Sequence, residues 1–337
     1  MSSLNYSLTG RHQEEPEGSQ KRVEHLVHHV GRKVVGQHAL IEGILVCLFA
    51  GGHVLIEGMP GLAKTTVAHT IADGLESEFH RIQFTPDLLP SDIVGTEIYS
   101  YETGKFSFRQ GPVFNNIVLA DEINRAPAKV QSALLEAMEE KQVTVGCKSY
   151  LLPDFFMVIA TQNPVEQEGT YNLPEAQLDR FLMNIVVDYP SREEELLILN
   201  MEESGFKSSN RGNTDPVFTQ QDIFHARSEI AKVFVSDSIK DYIVSLVRAT
   251  RCSSKYDADH LGRWIVHGVS PRATLAVLRC AKAFAWLRQE EFVTPLHVQA
   301  VMPNIFRHRL MLSFEAEADG VSREQVVSRI LQVVALP

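Results

Sequence analysis

The chain has 337 residues, of which 44% are hydrophobic and 22% are charged, the composition of an ordinary globular protein of about two domains. Its net charge of −10 argues against a surface that binds polyanions throughout, although a local basic channel would be compatible with it. The four cysteines are dispersed with no C-x-x-C pair, and the chain shows no apolar leader and no uninterrupted apolar run of bilayer length. We therefore expect a reduced, cytoplasmic protein without a membrane span.

Short apolar strands alternate with helices in the first half of the chain. Residues 1–20 are polar and are predicted to form a flexible tail. Residues 21–190 contain five apolar strands separated by helical segments, which is typical of an α/β domain whose parallel sheet is covered on both faces. Residues 92–111 and 142–152 are predicted to be hairpin insertions, which either decorate the edge of the domain or use their aromatic residues to grip a partner.

The second half of the chain has a different pattern. Residues 191–216 are predicted to be a polar connector between domains. Residues 217–337 repeat apolar residues at helical spacing without strand alternation, so we expect an all-helical second domain.

A phosphate cradle is predicted from His53 to Thr66, where a buried strand, a glycine-bearing loop and a helix start follow one another. Lys64 would reach the β- and γ-phosphates, and the Thr65 hydroxyl would ligate Mg²⁺. Ala63 replaces the second glycine of the pattern G-x-x-x-x-G-K-S/T, so we expect it to lie at negative φ in the first helical turn. The candidate nucleotide-contacting residues are Gly58, Met59, Pro60, Gly61, Leu62, Ala63, Lys64, Thr65 and Thr66.

Polar side chains follow two other strands. Asp121 and Glu122 end an apolar strand, where the first could hold Mg²⁺ and the second could deprotonate a water aimed at the γ-phosphate. Asn163 ends another strand and could bond the γ-phosphate or that water, or it could simply begin an Asn-Pro turn. Arg125 and Lys129 could line a subunit interface or a pore, or be ordinary exposed charges.

Two arginines are candidates for contact with a phosphoryl group. Arg180 follows a short predicted helix and could stabilise the transferring group, or it could pair with Asp179 or Glu175 on the surface. Arg272 lies in the first turn of a helix of the second domain and could reach over the nucleotide, or be an ordinary exposed arginine.

This ordered set of motifs resembles the MoxR family of AAA+ ATPases, and the resemblance covers residues 21 to about 320. AAA+ proteins are P-loop NTPases, so it implies a parallel five-stranded sheet between helices with a C-terminal helical lid. The form Gly61-Leu-Ala-Lys-Thr65 is one that MoxR proteins use. The runs that carry the resemblance are 58–65, 120–126, 136–140, 160–164, 173–181 and 270–272.

The resemblance also implies the cofactors ATP and Mg²⁺ and a role for each matching residue. Val35, Gly36 and Gln37 match the segment against the adenine, and the two hairpins match the helix-2 insert and the pre-sensor-1 hairpin. The remaining matches are Lys64 and Thr65 in Walker A, Asp121 and Glu122 in Walker B, Asn163 as sensor 1, Arg180 as the arginine finger and Arg272 as sensor 2.

The same resemblance implies a homo-oligomeric ring, commonly a hexamer, with nucleotide at the subunit boundary. MoxR proteins often act as chaperones that mature metalloenzymes together with a von Willebrand factor A domain partner. An ATP-gated scaffold with little turnover is an alternative, which the presence of Glu122 and Arg180 disfavours. A nucleic-acid motor is a lesser alternative, disfavoured by the acidic balance and by the absence of a basic run on either hairpin.

Overall fold

The structure of the protein is a computed structural model. The predicted tail lies outside the described residues up to residue 18, and so does the part of the predicted connector after residue 203. The structure describes residues 19–102, 104–164, 170–203, 217–258 and 260–337.

The elements fall into two sets along the chain. The first set is α1 (Ser19–Lys33), α2 (His38–Ala50), β1 (Val54–Gly58), α3 (Lys64–Asp73), β2 (Phe79–Gln83), α4 (Pro90–Val94), β3 (Gly95–Ser100), β4 (Lys105–Gln110), β5 (Ile117–Asp121), α5 (Ala128–Glu140), β6 (Gln142–Val145), β7 (Lys148–Leu151), β8 (Met157–Gln162), α6 (Glu175–Leu178) and β9 (Met183–Val187). The second set is α7 (Arg192–Glu203), α8 (Gln220–Lys232), α9 (Asp237–Arg251), α10 (Ser253–Tyr256), α11 (Leu261–Trp264), β10 (Ile265–His267), α12 (Pro271–Leu287), α13 (Pro295–Phe306), β11 (Met311–Leu312), α14 (Phe314–Ala318) and α15 (Arg323–Val333).

The central sheet has five parallel strands in the order β2-β5-β8-β1-β9, which confirms the predicted fold class. All strands run in the same direction, so their last residues share one edge of the sheet, here called the carboxyl edge. Gly58, Asp121 and Gln162 end β1, β5 and β8 at this edge. The opposite edge, where the strands begin, is called the amino edge.

Both faces of the sheet are covered by helices. Val54 and Ile56 of β1 pack into the core formed with α1, α2, α3 and the C-terminal helices. Leu55, between them, packs into the core on the other face with Val130 and Leu134 of α5. Alternate residues of a strand point to opposite faces, so a strand buried on both sides is apolar at every position. This is why the central strands β1, β5 and β8 were recognisable as largely apolar runs.

The two insertions are antiparallel hairpins, β3–β4 and β6–β7, and they touch each other. Phe108 of β4 stacks on Tyr150 of β7 with the ring centroids 4.1 Å apart. Tyr101 and Phe106 remain 93% and 67% exposed near the tip of the first hairpin. The first hairpin therefore presents aromatic rings to the outside of the domain.

The C-terminal part is a helical lid packed on the sheet domain through α2. Phe49 of α2 contacts Trp286 of α12 with ring centroids 5.2 Å apart. The expectation of a wholly helical domain is wrong in one detail, because β10 and β11 form a short antiparallel pair. Their few residues are too short for alternation to be visible in the sequence. None of the described helices is long and apolar enough to cross a membrane.

The predicted connector begins with a helix. Helix α7 occupies Arg192–Glu203, the first half of the segment expected to be a linker. Glu193, Glu194 and Glu195 lie in its first turn, where negative charge is favoured by the helix dipole. The polar composition that suggested a linker is therefore also that of an exposed helix.

A buried histidine joins several elements at the amino edge. The Val158 N–H donates to Nδ1 of His53, 2.9 Å away, and Nε2 of His53 donates to the Met138 carbonyl at 3.3 Å. The Leu182 N–H donates to the His53 carbonyl at 2.8 Å. These bonds require a neutral ring, and burial lowers the pKa of His53 to about 4. They hold the end of α5 against the first residues of β1, β8 and β9.

This histidine predicts a pH dependence of stability. The folded pKa lies below the unfolded value near 6.5, so the unfolded chain binds more protons between these values. The free energy of unfolding should therefore fall as the pH decreases from about 6.5 to about 4, with up to about 3 kcal/mol arising from His53. Urea unfolding of the wild type and of His53→Gln over this pH range measures the difference in slope. Equal slopes would contradict the assignment.

Candidate functional site

The phosphate loop lies at the carboxyl edge, between β1 and α3. The Lys64 ammonium bridges the mouth of the loop, donating to the Gly58 carbonyl and, at 3.5 Å, to the Gln162 carbonyl at the end of β8. A Cβ at Gly58 would lie 2.8 Å from the Val187 carbonyl, so the close packing of β1 on β9 requires glycine there. The N-terminus of α3 and the Lys64 charge together make this loop suitable for an anion.

The expectation for Ala63 is wrong. Ala63 has φ 56° and ψ 16°, in the left-handed region, and precedes α3 as its N-cap instead of lying in its first turn. Its carbonyl accepts the first bond of the helix from the Val67 N–H at 2.9 Å. The loop must turn sharply before the helix begins, and that turn keeps the conformation that suits glycine even though alanine occupies it. A left-handed alanine costs about 1–2 kcal/mol.

Asp121 lies at the centre of a dense set of hydrogen bonds. Its Oδ2 accepts from the Thr65 hydroxyl at 3.3 Å, and its Oδ1 accepts from the buried Thr161 hydroxyl at 2.5 Å. Oδ2 also accepts from Nε and NH2 of Arg81, at 3.0 and 2.7 Å. The Thr65 hydroxyl and the Asp121 carboxylate are hard oxygen donors within one ion's reach, so they fit Mg²⁺. The Arg81 guanidinium is the cation that now contacts this carboxylate.

Glu122 is held by side chains from two other segments. Its Oε2 accepts from Gln83 Nε2 at 2.7 Å and pairs with Arg125 NH1 at 3.0 Å. Its backbone is left-handed, with φ 57°, and its N–H donates to the Thr161 hydroxyl at 2.9 Å. Strained backbone of this kind clusters at functional sites. The left-handed conformation of Glu122 turns the chain directly after β5. The Glu122 carboxylate thereby contacts the Gln83 side chain of the neighbouring β2.

Asn163 lies at this edge, and Gly36 of the segment Val35-Gly36-Gln37 packs against α7, the helix that follows β9. Asn163 is buried directly after β8, and its carbonyl accepts from the Asn124 side chain at 3.3 Å. Gly36 joins α1 to α2 with φ 78°, and a Cβ there would come within 2.8 Å of Glu194 on α7. The structure thus brings Asn163 to the edge that holds the phosphate loop and the two acids.

The structure places Arg180 and Arg272 elsewhere. Both guanidinium groups contact Glu139 near the end of α5: Nε of Arg180 lies 3.0 Å from Oε2, and NH2 of Arg272 contacts Oε1. Only two residues separate Arg180 from the start of β9. Arg180, Arg272 and Glu139 therefore lie at the amino edge. A five-residue strand is about 16 Å long, and α5 is about 20 Å long. Arg272 therefore does not reach the phosphate loop of its own chain. This differs from the sequence-based interpretation in which it reaches over the nucleotide.

A second carboxylate, that of Asp179 beside Arg180, bonds the segment after α6 to the lid. Asp179 accepts from the Ser270 hydroxyl at 2.9 Å and from Arg309 Nε at 2.7 Å. Ser270 also caps α12 by accepting from the Arg272 N–H at 3.2 Å. Arg309 is buried, and burial lowers its pKa although Asp179 acts in the opposite direction. The predicted pairing of Arg180 with Asp179 is replaced by pairing with Glu139.

Sequence reasoning missed several of these partners. Arg81 and Gln83 occupy alternate positions of β2, so their side chains point to the same face, beside the end of β5. That alternation, next to a strand ending in two acids, is a signal that could have been used. Thr161 and Glu139 carried no comparable signal, because their roles depend on which strands and helices pack together.

A parallel sheet with a phosphate loop, paired acids and a polar residue along one edge, joined to a helical lid, defines a AAA+ nucleotide-binding protein. The family profile described as "ATPase family associated with various cellular activities (AAA)" matches residues 53–183, and the profile described as "AAA lid domain" matches residues 263–330.

Similar proteins agree with this class. The chain is 43% identical to Chaperone MoxR1 of Mycobacterium tuberculosis over 98% of this chain and 88% of that protein. It is 45% identical to the protein YeaC of Bacillus subtilis over 92% of this chain and 93% of that protein. A crystal structure from Cytophaga hutchinsonii, 45% identical, superposes with a TM-score of 0.87 over 95% of this chain and 96% of that chain. The chain belongs to the MoxR family of AAA+ ATPases.

The left-handed alanine yields a stability prediction. Ala63→Gly should raise the free energy of unfolding by roughly 0.5–1 kcal/mol, because glycine adopts positive φ without strain. The same substitution at Ala300, exposed within α13, should lower it by a similar roughly 0.5–1 kcal/mol. Chemical denaturation of the two variants measures both signs. Destabilisation by Ala63→Gly would show that this position carries no strain.

Proposed function

We propose that this protein is an ATP-hydrolysing ring ATPase of MoxR type that remodels or activates a protein client. The observation that carries the proposal is the division of the site between two edges of the sheet. The phosphate loop, Asp121, Glu122 and Asn163 share the carboxyl edge, whereas Arg180 and Arg272 are held at the amino edge by Glu139. A single chain thus carries both parts of a phosphoryl-transfer site in places where they cannot meet.

In the proposed reaction the loop from Gly58 to Thr66 binds the phosphates of ATP. Lys64 bonds the β- and γ-phosphates, and Thr65 and Asp121 would hold Mg²⁺, which neutralises phosphate charge when bound. Val35, Gly36 and Gln37 contact the adenine. Two observations support these contacts: the Thr65 hydroxyl lies 3.3 Å from the Asp121 carboxylate, and Gly36 lies in the turn between α1 and α2.

Glu122 is the proposed general base. A water attacks the γ-phosphorus, the bond to the oxygen bridging to the β-phosphorus breaks, and the water proton passes to the Glu122 carboxylate. Gln83 orients that carboxylate, and Asn163 bonds the water or the γ-phosphate. Arg125 NH1 pairs with the Glu122 carboxylate at 3.0 Å, so this contact must open before the carboxylate can face the attacking water.

We propose that Arg180 and Arg272 act on the nucleotide bound by a second copy of the chain. An interface that joins the amino edge of one subunit to the carboxyl edge of the next is heterologous. Such an interface gives a ring when the rotation between subunits closes and a filament when it does not. We propose a homo-oligomeric ring, hexameric as is common among relatives, in which Arg180 is the arginine finger. In this ring Arg272 lies on the same face as Arg180 and faces the nucleotide of the neighbouring subunit.

The client role follows from the family, and one feature of the surface supports it. A relative that covers nearly the whole chain is called a chaperone. The exposed rings of Tyr101 and Phe106 are suited to apolar segments of a polypeptide. A von Willebrand factor A domain partner, maturation of a metalloenzyme and a cytoplasmic location complete the proposal.

Phosphate release by the purified chain with ATP and Mg²⁺ tests the proposal. Lys64→Ala should abolish nucleotide binding, and Glu122→Gln should retain binding while lowering turnover by at least about 100-fold. Glu136→Gln, an exposed carboxylate on α5, is the control and should keep wild-type turnover. Absence of phosphate release at concentrations where the protein oligomerises would favour an ATP-gated scaffold. Stimulation by nucleic acid with a steep salt dependence would favour a nucleic-acid motor.

Arg180→Ala should lower turnover by at least about tenfold while leaving ATP affinity little changed, because the side chain acts on the transition state in a neighbouring site. Arg248→Ala, at an exposed position on α9, is the matched control. Steady-state turnover and equilibrium binding of a fluorescent ATP analogue separate the two effects. Unchanged turnover would remove Arg180 from the mechanism.

A further inference from the structure

Glu139 contacts two arginines that come from different domains. It is the penultimate residue of α5, and its side chain is 32% exposed. Oε2 faces Nε of Arg180 from the segment after α6, and Oε1 faces NH2 of Arg272 from the lid helix α12. One carboxylate therefore joins the sheet domain to the lid at the amino edge.

Further bonds fix Arg180 to α5 and the start of α12 to the segment that carries Arg180. NH1 of Arg180 donates to the Leu135 carbonyl of α5 at 2.7 Å, and Ser270 holds the start of α12 to Asp179. Two guanidinium groups brought this close would repel each other without a carboxylate between them. Glu139 removes that repulsion and restricts both side chains, each of which otherwise has many rotamers.

The other end of α5 is bonded to the chain's own nucleotide site. Buried Gln131, in the first turn of α5, donates to the carbonyls of Ile123 and Tyr171, both at 3.1 Å. Ile123 directly follows Glu122. Helix α5 therefore connects the segment that carries Glu122 to the carboxylate that carries the arginines, over a length of about 20 Å.

We propose that Glu139 is a positioning residue that presents Arg180 and Arg272 as a pair to the nucleotide bound by a second copy of the chain. This inference rests on the proposed ATPase function. Glu139 touches neither substrate nor reacting atoms in its own subunit. Its effect reaches the neighbouring site through the two guanidinium groups, and α5 gives the chain's own nucleotide a path to move them.

Glu139→Gln tests the charge of the contact with little change of shape. Misplaced catalytic groups cost up to about 100-fold, so we expect turnover to fall by about 10- to 100-fold with ATP affinity unchanged. Glu140→Gln, at the exposed neighbouring position, should keep wild-type turnover. Glu139→Asp should recover part of the lost turnover, because it restores the charge. Wild-type turnover in Glu139→Gln would overturn the proposal.

Mixed rings determine which site Glu139 serves. Lys64→Ala subunits lack a nucleotide site but keep the arginines, so mixing them with Glu139→Gln subunits should give more turnover than the sum of the two alone. Mixing Glu139→Gln with Arg180→Ala should give no gain, because both lack a functional arginine face. A gain in the second mixture and none in the first would mean that Glu139 serves the nucleotide site of its own subunit. No gain in either mixture would indicate a folding defect, and both results overturn the proposal.

A third mixture separates this inference from the function on which it rests. Lys64→Ala mixed with Arg180→Ala should regain turnover if nucleotide and arginine come from different subunits, whatever Glu139 does. Failure of this mixture would overturn the shared-site ATPase itself. Its success together with a negative result for Glu139→Gln would overturn only the positioning role.

Discussion

The parallel direction of the five strands is the constraint on which the rest of the structure depends. Every strand ends at the same edge. The phosphate loop after β1, the acids after β5 and Asn163 after β8 therefore lie together as a direct result of strand direction. Every crossover must then return to the amino edge before the next strand begins. Helix α5 makes that return, and it is what places Glu139 a strand length away from the acids.

The carboxyl edge is organised by shared hydrogen bonds. Thr161 of β8 bonds both the Asp121 carboxylate and the Glu122 N–H, so a central strand fixes the positions of two residues of its neighbour. Arg81 and Gln83 of β2 contact the same two acids from the other side. Movement of β5 relative to either neighbour would therefore alter the contacts of Asp121 and Glu122 together. Networks of this kind hold a site rigid only while every member keeps its partner.

The sequence was sufficient for what is periodic or local. The central strands were visible because burial on both faces makes them largely apolar. The loop and acids were visible because their spacing is set by one strand–turn unit. The backbone of Ala63 was mispredicted, since the helix begins one residue later than assumed and the turn before it demands positive φ. The position of Arg272 was not predictable from α12 alone, because it depends on Ser270 meeting Asp179 across 91 residues of chain. Contacts of that range follow from packing and leave no pattern in the residues themselves.

Under the proposed mechanism, the two edges also explain why one subunit alone cannot complete the reaction. Phosphoryl transfer needs positive charge on the side of the γ-phosphate away from the loop, and the arginines of this chain lie at the far end of α5. Shortening the distance within one subunit would require breaking the bonds of His53, which hold the end of α5 against β1 and β8. In the proposed ring, association of two copies would bring the arginines to the nucleotide without disturbing that core. Helix α5 is bonded near Glu122 at one end and to Arg180 at the other, so in the proposed ring it would link one nucleotide site to the next.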